Sequence, residues 1–162
     1  MPEPLTFHMG KFPAVLPAEL LYARNHMWAR AVESQDGLAP GCKRWRFGFT
    51  SYAIRLMQDV YFLDWSISAG DDVTLLQEIG HIETSKAESD LFAPFAGRLE
   101  RFNDALLKGP EAINVDGYGA GWLFDLAGDP GGLLMDAAAY HQFLADNWEK
   151  TQRLIKGKFN EE

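Results

Sequence analysis

The run Glu83-Thr84-Ser85-Lys86-Ala87-Glu88-Ser89-Asp90 sets one lysine among three acids. A lysine ammonium on its flexible four-carbon stem is a target for modifying enzymes, and an acylated lysine can carry a long prosthetic arm. Two local readings compete. Ser85 followed three residues later by Glu88 fits a capping box, which would make Lys86 a solvated helix lysine. Pro94 and Gly97 follow closely, so such a helix would be about one turn long and marginal by itself. The other reading is a hairpin tip, with "LLQEIGHIETS" as one arm and "DLFAPFAGRLERF" as the other. These letters alone leave both open.

The remaining reactive residue types suggest little chemistry of their own. Cys42 follows Pro40-Gly41 in a loop, with no base set beside it by the sequence. His8, His26, His81 and His141 lack metal-ligand spacing. Gly117, Gly119 and Gly121 have no strand–loop–helix context for a phosphate site, so turn geometry accounts for them. With no nucleophile–base pair, the chain is expected to be a non-catalytic protein.

The elements that must position Lys86 are mostly strands. Trp45, Phe47 and Phe49 alternate as in a strand, and Val60 to Trp65 is a dense β-type run. Between them Thr50 can cap a short helix carrying Tyr52, Ile54, Leu56 and Met57. "LLYARNHMWARAV" reads as a first strand, and residues 33–43 as a loop punctuated by Gly and Pro. Four prolines within residues 1–17 predict an extended or poorly ordered arm. Asp136 can cap a final helix in which Tyr140, Phe143, Leu144, Trp148 and Ile155 recur at helical spacing, with Gly157 as its stop.

The formal charge of −8 disfavours nucleic acid and anionic membranes as partners and suits docking on basic enzyme surfaces. One cysteine cannot form an internal disulfide. With no long apolar run, the chain reads as cytoplasmic and not membrane-spanning.

Four ordered motifs together resemble the H protein of the glycine cleavage system, a lipoyl-carrier family. They are "YARNHMWAR", "FGFTSYAIRLMQDVYFLDW", "ETSKAESDLFAPFAG" and "INVDGYGAGWL", spread between Leu21 and Tyr140. The resemblance implies a mainly β barrel-sandwich hybrid with short helices and a C-terminal helix. It implies three segments: an arm over 1–17, a lipoyl-carrier domain over 18–130, and a helix and tail over 131–162. It implies lipoic acid in amide linkage to Lys86, a group carrier whose sulfurs supply the redox chemistry. Expected partners are a lipoate ligase or lipoyl transferase, a lipoamide dehydrogenase-like enzyme and the enzymes that load the arm.

The resemblance also implies an arm cleft drawing on Glu83, Asp90, Asn25 and Met27. Met27 stands where the family has an acid that holds a cationic amine, and methionine cannot pair with an ammonium. Asp90 keeps a family acid, and Asn25 can still hydrogen-bond. Together with the amphipathic tail, Met27 leans the reading toward the H-like lipoate-binding proteins of a heterodisulfide-reductase-like sulfur-oxidation system. The alternatives are an aminomethyl-carrying H protein of glycine cleavage and a non-lipoylated binding or assembly module on the same fold.

Overall fold

A computed structural model describes residues 3–32 and 42–159. Most of the loop predicted over 33–43 lies outside the described residues. Eleven strands and four helices appear in it, and the strands form three sheets.

The proline-rich lead-in is a hairpin and not an extended arm. Strands β1 (Leu5–Met9) and β2 (Phe12–Leu16) pair antiparallel, with Leu5 opposite Leu16. Gly10 turns the chain between them at φ 65°, a left-handed value that a side chain disfavours. Prolines weigh against a central strand, but a two-stranded ribbon is all edge and tolerates Pro13. The period-2 pattern decides the outcome, since Phe7, Met9, Ala14 and Leu16 all face inward and are buried.

The expected first strand is broken in two. β3 (Leu21–Tyr22) and β4 (Met27–Val32) pair with each other across a tight turn. His26 in that turn has φ 67°, and its N–H donates to the Ala23 carbonyl at 3.1 Å. From β4 the six-stranded sheet continues through β5 (Lys43–Phe49), β11 (Phe124–Gly128), β10 (Gly97–Phe102) and β7 (Asp72–Val73). The third sheet orders β6 (Val60–Trp65), β8 (Glu78–Thr84) and β9 (Glu88–Phe92). The second expected arm therefore ends at Phe92, and the residues after Pro94 cross into the larger sheet as β10.

Helix α1 (Ser51–Met57) starts as its sequence predicts. The Thr50 hydroxyl accepts the Ala53 N–H at 3.2 Å. The helix ends on Gln58 at φ 65°, and Asn114 holds that exit. Its amide donates to the Gln58 carbonyl at 2.6 Å and accepts from the Val60 N–H at 2.9 Å. Asn114 lies in α3 (Ala112–Val115), which follows α2 (Ala105–Lys108) across Gly109-Pro110.

Helix α4 (Ala137–Phe159) begins with the Asp136 carboxylate accepting the Ala139 N–H at 2.8 Å. It runs through Gly157 and does not stop there; one glycine in a last turn weakens a helix without breaking it.

Two apolar clusters hold these layers. One lies between the sheets and includes Phe47, Phe95, Phe124, Leu99 and Ile82. The other lies under the β1–β2 hairpin and joins Phe7, Leu16, Tyr22, Trp28, Tyr52 and Tyr140. Aromatic contacts tie the second to α4, with Tyr22 and Tyr140 stacked at 4.6 Å and Phe7 edge-on to Trp148 at 5.6 Å. No helix among the described residues is long and apolar enough to cross a membrane.

Candidate functional site

Lys86 sits in the turn between β8 and β9, so the short-helix reading of "SKAES" is not what forms. Thr84 builds the turn. Its hydroxyl accepts the backbone N–H groups of Lys86 at 3.3 Å and Ala87 at 3.1 Å, and donates to the Ala87 carbonyl at 3.0 Å. A short hydroxyl side chain bonding nearby backbone competes with helix and favours a turn. Backbone pairing from Thr84 N–H to the Ala87 carbonyl at 2.9 Å closes the hairpin. Lys86 itself is half-buried.

Strand β9 leads from this tip directly into a cleft. Ser89, Asp90, Leu91 and Phe92 line one side of it. Opposite stand Asn25, His26 and Met27 from the β3–β4 turn, with Ala53, Leu56 and Met57 from α1. Its volume is about 240 Å³. Most of the lining is apolar, and Met27 is only 1% exposed. Asn25 supplies a polar contact point. Its amide nitrogen donates to the Phe92 carbonyl at 3.0 Å and lies 3.7 Å from the Met27 sulfur. Its Oδ1 is buried and accepts no hydrogen bond among the described residues. A buried acceptor without a donor is costly unless a ligand supplies one.

The sequence-predicted residues thus divide. Asn25, Met27 and Asp90 come together at one cleft, although 65 residues separate the first from the last. Glu83 does not join them. It lies beside His81, with Oε2 3.5 Å from Nε2, while the other ring nitrogen of His81 lies 3.3 Å from Asp90 Oδ1. Cross-strand register explains this, because His81 is opposite Asp90 and Glu83 is opposite Glu88 on the same outward face. Glu78 adds to the cluster. Its hydrogen bond with Asp90, reinforced by the Asp90 charge, raises its carboxyl above the ordinary value.

His81, read in sequence as one of four scattered histidines, is therefore the centre of an acidic face beside the lysine tip. Only strand register could have signalled it. Cys42 is free and half-buried, and no group of three or more metal-ligating side chains occurs among the described residues.

The four motifs also acquire physical reasons. A Cβ on Gly48 would stand 2.6 Å from the indole of Trp28, its cross-strand partner. The Trp28 indole donates to the Gly117 carbonyl at 2.8 Å. The Tyr118 hydroxyl accepts from Ser51 N–H at 3.0 Å and donates to the Val15 carbonyl at 2.6 Å, joining α1 to the β1–β2 hairpin. The opening motif, the helix motif and the glycine turn therefore lock one another around the cleft wall.

A mainly β carrier fold with a turn lysine leading into an apolar cleft is the class that the geometry defines. The family model for the glycine cleavage H-protein matches residues 20–147. The glycine cleavage system H protein of Escherichia coli O45:K1 (strain S88 / ExPEC) is 36% identical over 139 residues, spanning 81% of this chain and 97% of that protein. The one from Nitratidesulfovibrio vulgaris (strain DP4) is 37% identical over 132 residues, spanning 80% and 95%. The crystal structure of a glycine cleavage system H protein from Mycobacterium marinum superposes with a TM-score of 0.65 at 30% identity, covering 82% of this chain and 98% of that one. This chain belongs to the glycine cleavage H-protein family. The cofactor of that family is lipoic acid, held covalently on a lysine. These relatives favour glycine cleavage over the sulfur-oxidation system toward which Met27 leans.

Proposed function

We propose that Lys86 carries the lipoyl group and that the chain is a non-catalytic carrier of the glycine cleavage type, taking an aminomethyl cargo between partner enzymes. The observation that carries this reading is the continuity of β9, which runs from the lysine turn into the cleft wall. When bound, the lipoyl group supplies a dithiolane that accepts a group reductively and passes it on. The residues present suit such a group. Met27, Phe49, Leu56, Met57, Ile82 and Leu91 offer apolar lining for an aliphatic arm. Asn25 Oδ1 offers an acceptor for an N–H donor, and the Asp90 carboxylate at the exposed rim offers a charge to a cation.

The chain's own work is to present the lysine, tether the arm at high local concentration and exclude water from its end. The partners in this reading are a lipoate ligase or transferase and the glycine cleavage enzymes.

Intact-mass measurement after co-expression with a lipoate ligase tests the lysine. A lipoyl adduct on the wild type that is missing from Lys86→Arg supports the assignment, and an unmodified wild type refutes it. Incubating the lipoylated protein with a glycine decarboxylase and glycine tests the cargo. Loading supports glycine cleavage; transfer of sulfur-derived groups without aminomethyl loading would turn the reading to the other system.

A further inference from the structure

The cleft has two walls built from separate elements, and one hydroxyl touches both. Tyr140 Oη lies 2.9 Å from His26 Nδ1, in the β3–β4 turn, and 3.0 Å from Thr50 Oγ1, the cap of α1. Thr50 Oγ1 also accepts the Ala53 N–H at 3.2 Å, and the Tyr140 hydroxyl shares one hydrogen bond with the Thr50 hydroxyl and one with the His26 ring nitrogen. The Thr50 N–H also donates to the His26 carbonyl at 3.1 Å. Tyr140 is fully buried, and its ring is held independently by stacking on Tyr22, with an interplanar angle of 2°. Yet Tyr140 is not among the cleft's lining residues, and it belongs to the C-terminal helix.

We propose that Tyr140 is a positioning residue: from α4 its hydroxyl sets the turn that presents Asn25 and Met27 against the helix that presents Ala53, Leu56 and Met57, and so fixes the width of the arm cleft. This rests on the cleft reading above. The ring's hold on the core is separable from the hydroxyl's hold on the walls, because Phe keeps the stack and loses both hydrogen bonds. A left-handed non-glycine residue such as His26 persists only when its surroundings over-determine it, and Tyr140 is one of the groups that do so.

The test compares Tyr140→Phe with Leu144→Ala, which removes buried apolar volume from the same helix without touching the hydroxyl. Amide hydrogen exchange is followed in the full chain. In Tyr140→Phe the amides of His26, Thr50 and Ala53 are expected to exchange at least ten-fold faster, with β8 and β9 unchanged. In Leu144→Ala any increase is expected to be spread across the α4 cluster. Unchanged exchange at those three amides, or a uniform rise throughout, overturns the proposal. In protein loaded with cargo, Tyr140→Phe is expected to shorten cargo lifetime at least three-fold, and an unchanged lifetime alongside altered exchange also overturns it. Mass analysis of the same samples keeps the two readings apart, since an absent Lys86 adduct refutes the carrier assignment while the exchange data still decide the coupling.

Discussion

Ser85 and Asp59 hold each other reciprocally. The Ser85 N–H donates to the Asp59 carbonyl at 2.9 Å, and the Asp59 N–H donates to the Ser85 hydroxyl at 3.1 Å. This ties the residue next to Lys86 to the segment leaving α1, which Asn114 fixes in turn. The lysine turn is thereby preset and does not swing freely on its hairpin.

Ser85→Ala removes one half of this clamp at an exposed position. The expected loss of stability is about 0.5–1 kcal/mol, because water can serve the freed Asp59 N–H. The initial rate of lipoylation should fall by up to about five-fold, the factor equivalent to ~1 kcal/mol of lost preorganisation. Denaturant midpoints and a time course of adduct formation measure the two effects. A large drop in stability with no change in rate would contradict the preset turn.

His26 predicts an acid-sensitive fold. Burial pushes its imidazole down to about 4 from 6.5. Above pH 6.5 both folded and unfolded chains hold it neutral, so its stabilising contribution is complete. As pH falls from 6.5 toward 4, the unfolded chain takes up a proton that the folded chain refuses, and stability declines by about 2–3 kcal/mol at pH 4.5. His26→Asn tolerates the left-handed backbone and removes the titration. Urea unfolding at pH 7 and 4.5 should show a smaller pH difference in the variant than in the wild type, by about that amount. Parallel losses would show that carboxylates alone cause the decline.

Gly48→Ala should be severe for a one-carbon change. The new methyl meets the fully buried Trp28 indole, which its own hydrogen bond to Gly117 keeps from swinging away. The expected cost is about 3 kcal/mol. Gly132→Ala, where an added Cβ meets nothing within 4 Å, should stay within about 0.5 kcal/mol of wild type. Thermal unfolding of the pair checks the contrast.

Met27→Glu addresses cargo. A carboxylate at a position 1% exposed should cost about 2 kcal/mol in the unmodified protein, softened by the nearby Asn25 amide donor. With Asn25 Oδ1 and Asp90 it would complete a site for a cationic amine, so an aminomethyl cargo should survive several-fold longer than in wild type. Cargo release from loaded wild type and variant measures this, and an equal or shorter lifetime would exclude Met27 as a determinant of cargo holding.

The parts that sequence alone determined are those whose physics is local. Thr50 and Asp136 cap their helices with side chains that reach only three residues ahead. The polar stretch around Lys86, set between two apolar runs, had to be a turn or a brief helix, and Thr84 settles the choice through bonds to its near neighbours. The four ordered motifs carried the family, and with it the β architecture. Tertiary structure decided what depends on residues distant in the chain. Alternation in the first 16 residues has a buried face only because α1 and α4 lie beneath it, which is why prolines misdirect the reading there. His26 breaks the first strand through a backbone angle that no propensity encodes, held by a tyrosine 114 residues away. Asn25 and Asp90 meet at one cleft, while Glu83, closer to Lys86 in sequence, shares Asp90's face of the hairpin but lies one cross-strand pair nearer the tip, because register sets how far along the cleft wall each side chain stands.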